Sequence, residues 1–137
     1  MRRYGLALRC GLMVALFLVS GSIVVGQAPS GVTVVDEKTA GDVTLKVRGM
    51  LEVHLEANHT TGYSWVQVPV EKPVLQKQGK AHYQANPSDG KVGVGGVEIW
   101  KYKAVKAGTQ NLKFEYRRPS DRAPHPEKTL SFDVTVR

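Results

Sequence analysis

Leu51-Glu52-Val53-His54-Leu55-Glu56-Ala57 alternates apolar and polar side chains, stops at Asn58-His59-Thr60-Thr61-Gly62, and resumes as Tyr63-Ser64-Trp65-Val66-Gln67-Val68 before Pro69. Strict alternation is the pattern of a strand with one face in a core and the other in water. Asn tolerates the left-handed region and Gly adopts it without steric cost, so the break between the two runs is a tight turn. Paired threonines at its tip are unusual, because Thr prefers the strand itself. Residues held at a stiff tip read as something presented to a partner.

The same period recurs on both sides of that hairpin. Val32 to Val35 reads as a short first strand, and Val43, Leu45 and Val47 alternate within Asp42 to Arg48. Val74-Leu75 and His82-Tyr83 are shorter candidates separated by Gly79-Lys80, and Val97 to Val105 is the longest run. After Gly108, Leu112, Phe114 and Tyr116 alternate with polar neighbours, as do Leu130, Phe132, Val134 and Val136. Helical stripes, internal repeats and low-complexity tracts are absent from this pattern. Short strands with turn signals between them, in a chain of this length, predict an all-β fold: an immunoglobulin-like antiparallel sandwich of two sheets and seven to eight strands. Trp65 is the candidate core anchor.

Ahead of the first strand, Met1-Arg2-Arg3 and Arg9 precede an apolar run from Cys10 to Val25, interrupted only by small residues. That order is the pattern of a secretory signal peptide, and the run falls short of the roughly 20 residues a membrane span needs. The reading places a signal peptide at residues 1–26 and a single domain at 27–137, with the mature protein secreted or periplasmic and free of the membrane. The only cysteine, Cys10, leaves with the leader, so the mature chain has no disulfide and no thiolate nucleophile. Net charge falls from +7 to about +4 and is scattered, which argues against a nucleic-acid surface. No nucleophile-elbow pattern is present, so the chain reads as a non-enzyme without cofactor. His54 and Glu56 share a solvent face with Glu52, the ordinary look of an exposed strand, and no metal site is expected there or with His59.

Two further loops differ from ordinary connectors. Pro87 to Gly96 carries Gly93-Val94-Gly95-Gly96, and such glycines serve close backbone approach or positive φ. No helix follows to offer an N-terminus to phosphate. Arg117-Arg118-Pro119-Ser120-Asp121-Arg122 through Pro126 joins the Phe114 and Leu130 strands. In a sandwich, turns separated by an even number of strand crossings fall at one end, so the three are expected together.

This ordered trio resembles the chagasin family of cysteine peptidase inhibitors, an immunoglobulin-like sandwich with an Asn-Pro-Thr-Thr-Gly-aromatic loop, a Gly-x-Gly-Gly loop and an Arg-Pro-aromatic loop. Asn58, Thr60, Thr61, Gly62 and Tyr63 match the first, Gly93, Gly95 and Gly96 the second, Arg118 and Pro119 the third. The resemblance covers essentially the whole mature chain. It implies a monomeric, reversible, non-covalent inhibitor of papain-like cysteine peptidases, whose three loops wedge into the active-site cleft. On that reading Thr60, Thr61 and Gly62 lie against the target's catalytic residues, Gly93 to Gly96 bring bare backbone to one wall, and Arg118 with Pro119 brace the other.

Two positions depart from the family pattern. His59 stands where the family has proline, which leaves the free turn less pre-set and puts an ionisable imidazole at the tip, from which pH-sensitive binding is expected. Ser120 replaces an aromatic whose burial is worth roughly 1.5–3 kcal/mol, so the expectation is either weaker inhibition or compensation from Pro124-His125-Pro126 beyond it. Asn58-His59-Thr60 is also an N-glycosylation sequon, and a glycan there would obstruct insertion into a cleft, so the two readings exclude each other. The alternative function is a secreted immunoglobulin-like binding or adhesion module, with Trp100 and Tyr102, same-face neighbours on their strand, as a sugar-stacking pair.

Overall fold

Two long neighbouring runs build the centre of one sheet. β3 (Met50–Ala57) pairs antiparallel with β7 (Gly96–Ala104) over its whole length, from Met50 opposite Lys103 to Ala57 opposite Gly96. The computed structural model describes residues 31–120 and 125–137; the expected signal peptide lies outside them. The other strands are β1 (Val32–Asp36), β2 (Val43–Leu45), β4 (Ser64–Gln67), β5 (Leu75–Lys77), β6 (His82–Ala85), β8 (Gly108–Arg117) and β9 (Lys128–Val136). One sheet runs β1-β3-β7-β5, with β6 also on β7, and the second runs β2-β9-β8-β4.

The expected two-sheet sandwich is therefore present, with two adjustments. Among the described residues nine strands form where seven to eight were expected, because β5 and β6 share one edge of β7 end to end. The pairings β1–β3 and β2–β9 are parallel, so the sheets are mixed. The reason is local. A turn in which Asp36 Oδ1 accepts from the Lys38 and Thr39 amides sends the chain from the edge of one sheet to the edge of the other. A second reversal, between Leu45 and Met50, then brings β3 back alongside β1 in the same direction.

The inward phase of each strand fills the space between the sheets. Leu51, Val53 and Leu55 from β3 are fully buried, as are Leu112 and Phe114 from β8 and Val134 from β9. Trp65 is buried as expected, at 4% exposure. Trp100 and Tyr102 are buried too, at 5% and 1%, and both pack edge-on against Phe114, so neither offers a face to a sugar. Burial pushes the Tyr102 phenol well above its usual range, and its hydroxyl donates to Gln67 Oε1 at 2.8 Å. Gln110, also buried, accepts from the Val74 and Leu75 amides and ties the β5 edge to the opposite sheet.

The chain directions decide where the turns lie. β3 and β8 run the same way, β4, β7 and β9 the opposite way, and β6 is antiparallel to β7. The β3–β4, β6–β7 and β8–β9 connections consequently meet at one pole, as the strand count anticipated.

Phe114→Ala empties the space at which two aromatic rings meet, and urea unfolding is expected to show a loss of about 3–5 kcal/mol. On the outer face, hydrogen bonds from Lys101 and His54 hold the Glu52 carboxyl below the usual carboxylate range. A depressed folded pKa stabilises above the unfolded value and is lost as pH falls through the folded one. The stability gap between wild type and Glu52→Gln is thus expected to be full well above the ordinary glutamate pKa of about 4.3 and to close as the pH falls through and below it, staying under about 1 kcal/mol for a pair open to solvent.

Candidate functional site

The first turn is a single turn of 3₁₀ helix, His59–Thr61, between an asparagine and a glycine. Asn58 is extended at φ −131°, and its Oδ1 accepts from the Thr60 amide at 3.2 Å and the Thr60 hydroxyl at 2.5 Å. Its carbonyl accepts from the Thr61 amide and, at 2.6 Å, from the Thr61 hydroxyl. Gly62 closes the turn at φ 78°, where a Cβ would be strained, and donates to the His59 carbonyl. Both threonines are exposed, yet both hydroxyls bond to Asn58. What the tip offers outward is therefore methyl groups and backbone.

Asn58 also joins the first turn to the second. Its Nδ2 donates to the Gly93 carbonyl at 3.0 Å, across a separation of 35 residues. The glycines of this loop are needed largely by the chain itself. Gly93 has φ 77°. A Cβ on Gly95 would sit 3.0 Å from the Ala57 carbonyl oxygen, and one on Gly96 would overlap the Gln84 carbonyl and the Tyr83 ring. The expectation that all three bring bare backbone to a target is corrected at Gly96, which is buried in the start of β7 with its approach used internally. At the loop tip, Val92 is 98% exposed.

The third turn reaches the first through Arg118. Its Nε donates to the Thr61 carbonyl at 3.2 Å, and its guanidinium lies 4.6 Å from the Tyr63 ring centre. Tyr63 in turn stacks on Tyr116 at 5.3 Å, and Tyr116 packs against Trp65 at 5.1 Å. The Tyr116 hydroxyl accepts from the Asn58 amide at 2.9 Å. Arg118 and Tyr63 thus brace the threonine turn from below. Pro119 and Ser120 are exposed beyond it; Asp121 to Pro124, and with them the expected compensation from Pro124, lie outside the described residues. Between the turns runs an open groove of about 670 Å³, whose lining includes Asn58, Thr61, Gly95, Tyr116, Arg118 and Lys128.

All ten residues named from the sequence are therefore gathered at one pole, and the structure adds Tyr83, Glu98 and Tyr116. It also corrects the expectation that His59 loosens the turn. The imidazole stacks on Tyr83 with ring centres 3.9 Å apart and bonds through Nε2 to Glu98 Oε1 at 2.8 Å. Glu98 was findable: it sits in the buried phase Gly96, Glu98, Trp100, Tyr102 and Ala104 of β7.

Residues 44–136 match the family described as Chagasin family peptidase inhibitor I42. The chain belongs to the chagasin family. It is an inhibitor of cysteine peptidases and not an enzyme. Amoebiasin-2 of Entamoeba histolytica is 29% identical over 89 residues, which cover 64% of this chain and 71% of that one. The crystal structure of the cysteine protease inhibitor EhICP2 from the same organism aligns with a TM-score of 0.68 at 24% identity, over 77% of this chain and 96% of the other. The solution structure of Amebosin aligns at 0.63 with 27% identity, over 78% and 99%. PbICP-C, solved in complex with falcipain-2, aligns at 0.50 with 21% identity, over 79% and 92%.

Asn58→Ala removes the turn cap and the bridge to Gly93 together. Urea unfolding is expected to show a loss of about 1–2 kcal/mol, against a few tenths for Thr60→Ala.

Proposed function

We propose that this chain is a reversible, non-covalent inhibitor of papain-like cysteine peptidases, exported by its N-terminal leader and acting in the periplasm or the medium through the three gathered turns. The observation that carries the reading is that Asn58 and Arg118 tie the second and third turns to the first, so the pole presents one rigid wedge. Asn58, Thr60, Thr61, Gly62 and Tyr63 form its edge, with Gly93 and Gly95 on one flank, Gly96 seating the Tyr83 ring behind them, and Arg118 and Pro119 on the other.

A wedge of this kind fills a cleft without being cut. A thiolate attacks a carbonyl carbon only from near-attack geometry, roughly 3–3.5 Å away on an aligned path. The peptides of this turn are curled into a 3₁₀ helix, and the carbonyls of Asn58, His59 and Thr61 already accept hydrogen bonds from within the chain. They are neither extended as a bound substrate strand would be nor free to turn toward a nucleophile. Because Asn58 and Arg118 already tie the described parts of the turns together before contact, less ordering entropy opposes binding. Family membership and the neighbour solved with falcipain-2 support the target class. A glycan at Asn58 fits poorly, since its amide already bridges two loops.

Titration of the mature protein against papain is expected to give stoichiometric, reversible inhibition. Thr61→Arg, at the centre of the wedge, is expected to raise the inhibition constant about 30- to 1,000-fold, in the range of a central interface residue. Lys106→Ala, at the opposite pole, is expected to change nothing. Absence of inhibition across a panel of papain-like peptidases overturns the proposal.

A further inference from the structure

The wedge has a support that none of the three turns supplies. Glu98 faces into the sandwich and is 3% exposed, yet it is fully engaged. Its Oε1 accepts from the Trp65 amide of β4 at 3.0 Å, and its Oε2 accepts from Trp100 Nε1 at 3.2 Å. The carboxyl group is thereby fixed by strands of both sheets, and moving it requires moving two core tryptophans. Its remaining contact is His59 Nε2, 2.8 Å from Oε1. Tyr83, directly opposite Glu98 across the β6–β7 pairing, supplies the platform on which the same imidazole stacks, with ring planes 16° apart. Gly96 leaves the space that the Tyr83 ring occupies.

We propose that His59, Tyr83 and Glu98 form a clamp that positions the Thr60-Thr61 turn, so that Glu98 and Tyr83 act on inhibition through His59 without touching the target. The inference rests on the reading of this pole as the inhibitory surface. His59 is the first residue of the 3₁₀ turn, so fixing its side chain in two directions fixes the start from which Thr60 and Thr61 follow. A proline at this position would achieve the same by locking φ. Asn58 has the extended backbone that the residue before a proline prefers, and the first helical position accommodates the ring. The clamp is therefore a non-covalent equivalent of a covalent constraint, and the two are exchangeable.

That exchange is the test. Inhibition of papain is measured for wild type, His59→Ala, Tyr83→Ala, His59→Pro, Glu98→Gln and the double variant His59→Pro/Glu98→Gln, alongside amide hydrogen exchange at Thr61 and Gly62 in the free proteins. Those two amides donate within the turn and report its opening. His59→Ala and Tyr83→Ala are expected to weaken inhibition about tenfold and to speed both amides by a similar factor, while His59→Pro stays within about threefold of wild type. Glu98→Gln is expected to cost about tenfold in the wild-type background but under about twofold in the His59→Pro background, since a proline there no longer needs the anchor. If His59→Pro inhibits no better than His59→Ala, the imidazole touches the enzyme itself and the clamp is wrong. An equal cost of Glu98→Gln in both backgrounds makes Glu98 a core residue only and also overturns it. Should wild type inhibit no papain-like peptidase, the exchange data still decide: unchanged amides in His59→Ala refute the clamp, and faster ones restored by His59→Pro sustain it.

Discussion

The working pole depends on the polar groups of Asn58, each of which engages a different part of the fold. The amide nitrogen of its backbone donates to Tyr116 in the second sheet, its side-chain oxygen caps its own turn, and its side-chain nitrogen holds Gly93. The residue stands immediately after β3, the strand whose inward phase is almost entirely in the core. A side chain at the end of so well-fixed a strand has little freedom to lose, so its hydrogen bonds transmit the position of the sheet to the loops. Any residue without both a donor and an acceptor at this distance from the backbone would leave one of the three connections unmade.

Below that asparagine lies a stack of aromatic rings that serves two purposes. Trp65, Tyr116 and Tyr63 form a continuous series from the core to the surface, finished by the Arg118 guanidinium. Its inner end contributes apolar burial, while its outer end sets the height and tilt of the third turn. Core and site are therefore not separable here: a change that shifts Trp65 moves Glu98, which Trp65 bonds through its amide, as well as Tyr116. The pole inherits rigidity from the sandwich through two routes, one aromatic and one through a buried carboxyl group.

Much of this was legible in the residue pattern, and the failures share a cause. Alternation located the long strands because each buries one whole face, and the order Asn-Thr-Thr-Gly, Gly-x-Gly-Gly, Arg-Pro located the turns because each type answers a local backbone demand. The parallel pairings of β1 and β2 were not legible. Both are edge strands, Val32 and Val34 remain about half exposed, and nothing in an edge strand's own pattern records the direction of its partner. Glu98 escapes a reading of the Val97 to Val105 run by its apolar content; only the phase of the run shows a carboxyl group falling among core positions. His59 looks like a loss of stiffness because its partners, Tyr83 and Glu98, stand on other strands; the histidine follows Asn58 but bonds 39 residues away.

The reading of Gly95 and Gly96 changes what kind of recognition this pole performs. A glycine placed for a partner would face solvent with open space where Cβ would be; instead these two have their own chain there, Ala57 beside one and Tyr83 with Gln84 beside the other. The threonine hydroxyls likewise turn inward to Asn58. Groups that look reserved for a target are thus largely consumed in shaping the wedge, and the exposed apolar atoms there are the threonine methyls, Pro119 and the nearly fully exposed Val92. On the function proposed above, such a tip would discriminate by shape and apolar fit more than by directional bonds, which suits a cleft whose own catalytic groups must be covered without being engaged as they engage a substrate. Affinity in that proposed arrangement would come from order established before contact, and the order from contacts made within the chain.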